Sequence, residues 1–483
     1  MSFPENFLWG GATSASQYEG GFNIGGRGKS HLDYIRRVEK DDKDKTFPIN
    51  VSEKMYQEHK QHEKEYNFAF RRGSDFYNRY KEDIALLAEM GFKTFRMSIS
   101  WSRLFPTGKE KIPLKEGVDF YHNVFKECHK YGIEPLVTMI HYEIPISLLE
   151  EYNGWESPKL IDYFTHYTKF LIDEYADEVK YWITFNEINM IMNSSFLGGG
   201  LFVEKSRRPE EECIHQALHH QLIASALTVK YFHEHAKGCY IGNMIARLQN
   251  YPYTCNPEDV LATQQQNQFN YFPTDVQAKG RYPKSILNYY KKHNIHIDYF
   301  PNYENILLEG KVDFVSISYY HTAVISNDED KKEPIGAFIR ELSNPYLKTT
   351  DWGWCIDPIG LRITLNDMND RYGLPIFIVE NGLGAHDKLE ADGKVHDPYR
   401  IVYLSKHIQA IKDALDDGCD VIGYTPWGCI DLVSCGDCQM TKRYGFIYVD
   451  ADDEGNGTYN RYRKDSFYWY KKVIERNGED LSI

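Results

Sequence analysis

The 483-residue chain has no uninterrupted apolar run long enough to cross a bilayer, so a spanning helix is not expected. It has no surplus of positive charge: 56 Lys and Arg against 70 Asp and Glu leave a net charge of −14 and a pI near 5.7. Nucleic acid and anionic membranes both call for basic surface, so neither is expected as a partner. The opening MSFPENFLWGG lacks a basic stretch followed by an apolar core and does not read as a secretory signal. The nine cysteines show no repeated spacing. That argues against a disulfide framework and for reduced thiols, with the cytoplasm as the expected compartment. No Pro/Gly/Ser-rich linker or composition break divides the chain, which points to one domain over 1–483. No G-x-G-x-x-G opens a helix after a strand, which counts against a doubly wound dinucleotide-binding sheet.

What is present is a recurring unit: a helical stretch, a glycine stop, then a short apolar strand. It reads YKEDIALLAEMG then FKTFRMSIS, ECHKYG then IEPLVTMIH, and KDALDDG then CDVIGYTP. In the first of these, Ser74 or Asp75 is expected to cap a helix whose apolar face is Phe76, Tyr80, Ile84, Leu87 and Ala88, with Gly91 ending it. Eight strands of this buried type follow in order: FLWGGA, FKTFRMSI, EPLVTMIH, VKYWITF, CYIGNMI, VDFVSISY, PIFIVE and DVIGYTP. Near-continuous apolar strands spaced by crossover-length segments predict a parallel sheet covered on both faces, hence an α/β (β/α)8 TIM barrel. The highly charged segment 25–70, which includes DDKDK, reads as a long βα insertion over the barrel mouth, and 326–350 as another.

The barrel rule places function at the carboxyl ends of the strands. VKYWITF ends in Asn186-Glu187 and PIFIVE ends in Glu380-Asn381. A carboxylate straight after an apolar strand is costly to bury, and either one alone reads as a solvated strand end. Two of them, on the fourth and seventh strands across the mouth from one another, point to a flanking pair of the kind that cleaves glycosidic bonds. Arg96, inside an apolar strand, is a cation suited to keeping one carboxylate ionised. His141 ends the third strand, where a structural hydrogen bonder is the plainer reading. Tyr320 falls beside the seventh strand, and Trp427 just past the eighth, where an indole stacks on a sugar ring or simply packs.

FLWGGATSASQYEGG, FRMSISWSRLFP, TFNEIN, FIVENGLG and KRYGFIYVD together resemble the family 1 glycoside hydrolases, in order and over essentially the whole chain. The resemblance implies Glu187 as acid/base and Glu380 as nucleophile. It also implies Asn186 at the sugar 2-hydroxyl, Gln17 and His141 in the 3- and 4-hydroxyl region, Arg96 and Tyr320 orienting Glu380, and Trp427 as the floor of the site. The chain departs from many members at Ser318, where they have Asn. The implied reaction is retaining double displacement, with carboxyl groups about 5–5.5 Å apart and neither metal nor organic cofactor.

The stretch SCGDCQMTKRYG, 434–445, holds two cysteines at a metal-like spacing. No further pair or histidine lies nearby to complete a zinc site, and no helix opens there as a redox motif requires. In many β-glucosidases of the family a glutamate stands seven residues after the tryptophan, where this chain has Ser434. The Ser434, Lys442 and Tyr444 arrangement resembles the 6-phospho-β-glucosidase branch, in which these side chains bind the phosphate. Cys435, a small residue, implies a gluco rather than galacto preference. The implied substrate is thus a phosphorylated β-glucoside. The rival readings are a 6-phospho-β-galactosidase or dual phosphoglycosidase, a plain β-glucosidase, and a non-catalytic sugar-phosphate sensor. A homo-oligomer is compatible with the sequence.

Overall fold

Each of the eight apolar segments forms a strand: β1 (Leu8–Ala12), β2 (Thr94–Ser98), β3 (Glu134–Ile140), β4 (Tyr181–Phe185), β5 (Tyr240–Ala246), β6 (Phe314–Tyr319), β7 (Ile376–Asn381) and β8 (Val421–Tyr424). The computed structural model describes residues 2–37, 48–328, 334–335, 339–340 and 342–483. The strands pair in parallel and close on themselves in the order β1-β8-β7-β6-β5-β4-β3-β2. Long helices follow them in turn: α1 (Phe76–Glu89), α2 (Lys115–Lys130), α3 (Lys159–Tyr175), α4 (Glu210–His235), α5 (Pro257–Lys279), α6 (Pro358–Tyr372), α7 (Pro398–Asp416) and α8 (Asp465–Glu475). The expected (β/α)8 barrel is the observed one. Every residue of β2, β6 and β7 is buried, as strands covered on both faces require. Leu136, Ile183, Met244, Phe314, Phe377 and Val379 pack together apart from the main core, a cluster drawn only from β3 to β7.

Helix α1 buries Phe76, Ile84 and Leu87, and Gly91 beyond it has φ +83°, a conformation glycine adopts without a Cβ penalty. The expected cap is not formed. Asp75 stands at the boundary with φ 64° and its side chain makes no cap bond. The Ser74 hydroxyl instead donates to the Asp431 carbonyl at 2.6 Å, tying α1 to the loop after β8.

Segment 25–70 does lie between β1 and α1, although its DDKDK run falls outside the described residues. Its described part carries a helix, Glu53–Gln61, and packs on the segment after β3. There the His31 amide donates to the Ile144 carbonyl at 3.1 Å and the Tyr56 hydroxyl to Glu150 at 2.6 Å. In 326–350, residues 329–333, 336–338 and 341 lie outside the described residues. The remainder includes a short antiparallel pair, Pro334–Ile335 with Ile339–Arg340.

A buried charge network fastens the region after β8. Lys464 is fully buried between Asp387 and Asp431, 2.7 Å from Asp431 Oδ1. Arg400 reaches Asp387 and Asp397, and Arg443 reaches Asp431 at 2.9 Å. Removing one partner of such a set leaves the others charged, dry and unpaired, which costs about 3–5 kcal/mol. Lys464→Met is therefore expected to lower the melting temperature markedly. Lys115→Met breaks a pair whose lysine is 81% exposed and should leave the melting temperature unchanged. Thermal melting of both variants checks the contrast.

Candidate active site

The carboxyl ends of the strands and the loops after them enclose a cavity of roughly 220 Å³ that opens to solvent. Glu187 and Glu380 both line it, with Gln17, His141, Asn186, Tyr320, Trp427, Cys435, Lys442 and Tyr444. These ten sequence-predicted residues converge on one space. Arg96 lies fully buried beside it, and Ser434, also buried, does not line it but donates to the lining residue Asp437 at 3.4 Å.

Glu380 is re-aimed by a bulge. Ile378 pairs with Ile317 and Glu380 with Ser318, so β7 carries one extra residue, Val379, against β6. One carboxylate oxygen of Glu380 meets the Arg96 guanidinium, and the Tyr320 hydroxyl donates to the other at 2.8 Å. Burial raises the Glu380 pKa, and Arg96 and Tyr320 oppose the rise. The expected cation contact is present, but the net shift is upward, because removal from water outweighs the ion pair in this enclosed place.

Glu187 leaves β4 with φ 37°, ψ 58°, a left-handed conformation uncommon for a side chain other than glycine. Its backbone carbonyl accepts from the Met190 amide at 2.8 Å, which holds the turn. Its two carboxylate oxygens receive the hydroxyls of Ser318 and Tyr142, one each. Its pKa is pushed up to about 7, chiefly by burial and then by the charge of Glu380, with the two hydroxyls pulling against it. The two carboxyls thus have unequal surroundings: a cation faces Glu380, and neutral donors face Glu187.

The other predicted residues fall around this pair. The Asn186 side-chain oxygen accepts from Arg96 at 2.7 Å, and the residue lines the cavity. Asn381, by contrast, is engaged at both ends, donating to the Tyr319 carbonyl at 2.6 Å and accepting from Tyr424 at 2.7 Å. The Gln17 amide donates to the Val433 carbonyl at 2.8 Å and accepts from Ser14 at 2.8 Å, which fixes its orientation. His141 is buried with Nδ1 unpartnered, and burial together with Arg96 depresses its pKa far below the usual imidazole range. A neutral imidazole with an unused ring nitrogen is suited to a hydroxyl group. Its ring lies 5.5 Å from that of Trp427, at an interplanar angle of 24°.

The loop that carries Lys442 is an extended segment: Arg443 and Ala385 exchange both backbone hydrogen bonds at 2.9 Å. Alternation then sends Lys442 and Tyr444 into the cavity and Arg443 away from it. Gly384 allows this, since a Cβ there would stand 3.0 Å from Lys442 Cε and 3.2 Å from Tyr444 Cζ. The Lys442 ammonium sits 4.8 Å from the ring of Trp352 and 4.6 Å from that of Trp354. It pairs with Asp437 at 2.7 Å. Burial lowers its pKa and Asp437 opposes the fall. Cys435 lines the cavity as a free thiol, whereas Cys438 is wholly buried.

Five participants escaped the sequence reading: Tyr142, Ser318, Trp352, Trp354 and Asp437. Ser318 was visible only as a departure from the usual Asn, and Asp437 lay unnoticed between the two cysteines. Among the described residues no helix is long and apolar enough to cross a membrane.

Comparison with known proteins agrees with this geometry. The chain is 48% identical to the 6-phospho-beta-glucosidase AscB of Escherichia coli (strain K12), covering 99% of both chains. It is also 48% identical to the aryl-phospho-beta-D-glucosidase BglH of Bacillus subtilis (strain 168), covering 99% of this chain and 98% of the other. The fold superposes with a TM-score of 0.82 and 30% identity on a beta-glucosidase from Thermotoga maritima in complex with glucoimidazole, covering 99% of each chain. The model of glycosyl hydrolase family 1 matches residues 1–479, and the chain belongs to that family.

Proposed function

We propose that this chain is a retaining 6-phospho-β-glucosidase, a single catalytic domain over 1–483 that releases glucose 6-phosphate and an aglycone. The observation that carries the reading is one cavity holding both the unequal carboxyl pair, Glu187 and Glu380, and a buried lysine, Lys442. The names of the relatives at 48% identity support it. Cys435 at the cavity wall supports the gluco preference. Its nine free thiols and a charged sugar phosphate as substrate fit the cytoplasm.

The chemistry follows from the two environments. Glu380, ionised beside Arg96, attacks the anomeric carbon, and the bond to the aglycone oxygen breaks as Glu187 delivers its proton there. Glu380 becomes an ester and loses its charge. Because that charge was one of the causes holding the Glu187 pKa near 7, Glu187 becomes more acidic at the moment it must act as a base. It then takes a proton from water, which displaces Glu380 and restores both groups. Asn186 and His141 hold ring hydroxyls, Gln17 assists them, and Trp427 supports the ring face. Lys442 binds the 6-phosphate with Tyr444 and Ser434. Every step is carried by these side chains, with no cofactor.

An aryl β-glucoside assayed with and without a 6-phosphate tests the reading, with the phosphorylated galactoside as a third substrate. Preference for the plain glucoside would overturn it. Lys442→Ala removes a charge-assisted hydrogen bond worth roughly 2–4 kcal/mol, so kcat/KM should fall about 30- to 1000-fold on the phosphorylated substrate. Activity on the plain glucoside should scarcely change, and equal losses on both would make Lys442 structural.

A 2-fluoro, 6-phosphorylated inactivator should label Glu380, and Glu380→Gln should abolish turnover while the protein still folds. Labelling of Glu187 would reverse the two roles.

The pH profile carries the signs of both groups. Glu187 must be protonated, so kcat/KM should fall as pH rises through about 7. Glu380 must be ionised, and its raised pKa places the acid limb above the ordinary carboxylate range. Ser318→Ala removes a donor that lowers the Glu187 pKa, so the alkaline limb should move to higher pH; a limb that stays put would detach it from Glu187.

A further inference from the structure

The seat expected for phosphate already has a negatively charged occupant. Asp437 Oδ2 lies 2.7 Å from Lys442 Nζ and accepts from the Ser434 hydroxyl at 3.4 Å. One carboxylate oxygen therefore contacts two of the three side chains assigned to the anion. Lys442 is 4% exposed and lies 4.8 Å and 4.6 Å from two indole rings, so Asp437 occupies one of the few contacts left for a ligand. A phosphate carrying most of two negative charges cannot share that ammonium with a carboxylate without strong repulsion in a partly dry site.

We infer that Asp437 is a tethered competitor for the phosphate seat, an affinity- and specificity-setting residue that rotates away when a 6-phosphorylated substrate binds. The inference rests on the phosphoglucosidase reading above. Asp437 is built to move. Its side chain is 27% exposed, and the bond its carboxylate accepts from the Ser434 hydroxyl is long, at 3.4 Å. The backbone around it is held independently. The Ser434 amide donates to the Gln439 carbonyl at 2.8 Å and the Cys438 amide to the Ser434 carbonyl at 3.0 Å. Rotation of one side chain toward solvent is thus enough, and the loop keeps its shape. In the empty enzyme the carboxylate spares Lys442 the cost of being buried and unpaired. When substrate arrives, the same contact opposes binding, and the affinity for phosphate is lower than the aromatic-walled lysine alone would give.

Asp437→Asn keeps the size and the loop contacts and removes the competing charge. Calorimetric titration with glucose 6-phosphate should show binding tighter by on the order of 10-fold than in the wild type. The ratio of kcat/KM for the phosphorylated over the plain aryl glucoside should rise by a similar factor, with the change falling on KM. In a Lys442→Ala background most of that gain should vanish, because the contest is for the ammonium. Unchanged or weaker binding in Asp437→Asn would overturn the proposal, since Asp437 would then be idle or needed to position Lys442. A gain kept in full without Lys442 would also overturn it, in favour of repulsion at a distance. These outcomes are separable from failure of the parent reading. If wild type and Asp437→Asn alike ignore the 6-phosphate, the phosphoglucosidase reading falls. If wild type prefers the phosphate and Asp437→Asn does not tighten it, only the competitor falls.

Discussion

The Arg96 guanidinium, fully buried at the mouth of the barrel, is the contact on which the site depends. It arises from β2, donates to Thr138 of β3 at 3.1 Å, and reaches Asn186 beyond β4 at 2.7 Å. It also meets the sulfur of Met244 in β5 at 3.1 Å and the carboxylate of Glu380 on β7. One side chain thus spans five strands. A closed barrel supplies the rigidity that keeps these donors convergent, and the guanidinium supplies the charge that lets a carboxylate remain in a dry place. Either without the other would fail: a free arginine would leave for water, and a buried Glu380 without it would take up a proton.

The same economy of placement separates the two carboxyls. Both are buried and both have raised pKa values, so burial does not distinguish them. Their partners do. A cation bonds directly to Glu380, whereas Glu187 is bonded only by hydroxyls, from Tyr142 and Ser318, and the negative charge of its companion acts on it more strongly than Arg96 does. The bulge at Val379 and the left-handed turn at Glu187 are local irregularities that aim the two groups into one cavity.

The barrel was legible because its strands are covered on both faces, so each reads as an unbroken apolar run ended by a turn. The two glutamates were legible for a related reason, since a carboxylate closing such a run has no cheap structural explanation. What stayed hidden depends on backbone conformation or on loops. Tyr142 reaches Glu187 from a residue with φ 68°, which nothing distinguishes among 37 tyrosines. Ser318 is one small hydroxyl inside SIS. Ser74 and Asp75 have the composition of a cap, yet the left-handed backbone at Asp75 turns its side chain away and Ser74 serves a distant carbonyl. Trp352 and Trp354 come from a stretch with no periodic pattern, so that their approach to Lys442 is set only by tertiary structure.

The proposed reading has a protein of net charge −14 bind an anion, and the local cations are divided between different tasks. In the run Lys442-Arg443-Tyr444 the strand alternation divides the two charges between opposite faces. Arg443 turns inward, where Asp431 and the carbonyls of Val449 and Ala451 satisfy it at 2.7–2.9 Å. Its fixed fork suits that role, because several acceptors in a plane hold it still. Lys442 turns to the cavity, where the proposed exchange of its carboxylate partner for a phosphate suits a compact ammonium. Swapping the two would place a planar, multiply bonded group where exchange is needed and a single point charge where rigidity is needed. The long-range field of the acidic surface is screened within about 8–10 Å of salt solution. On the proposed reading, the contest for the substrate's phosphate is therefore decided locally, among Lys442, Asp437 and the two indoles.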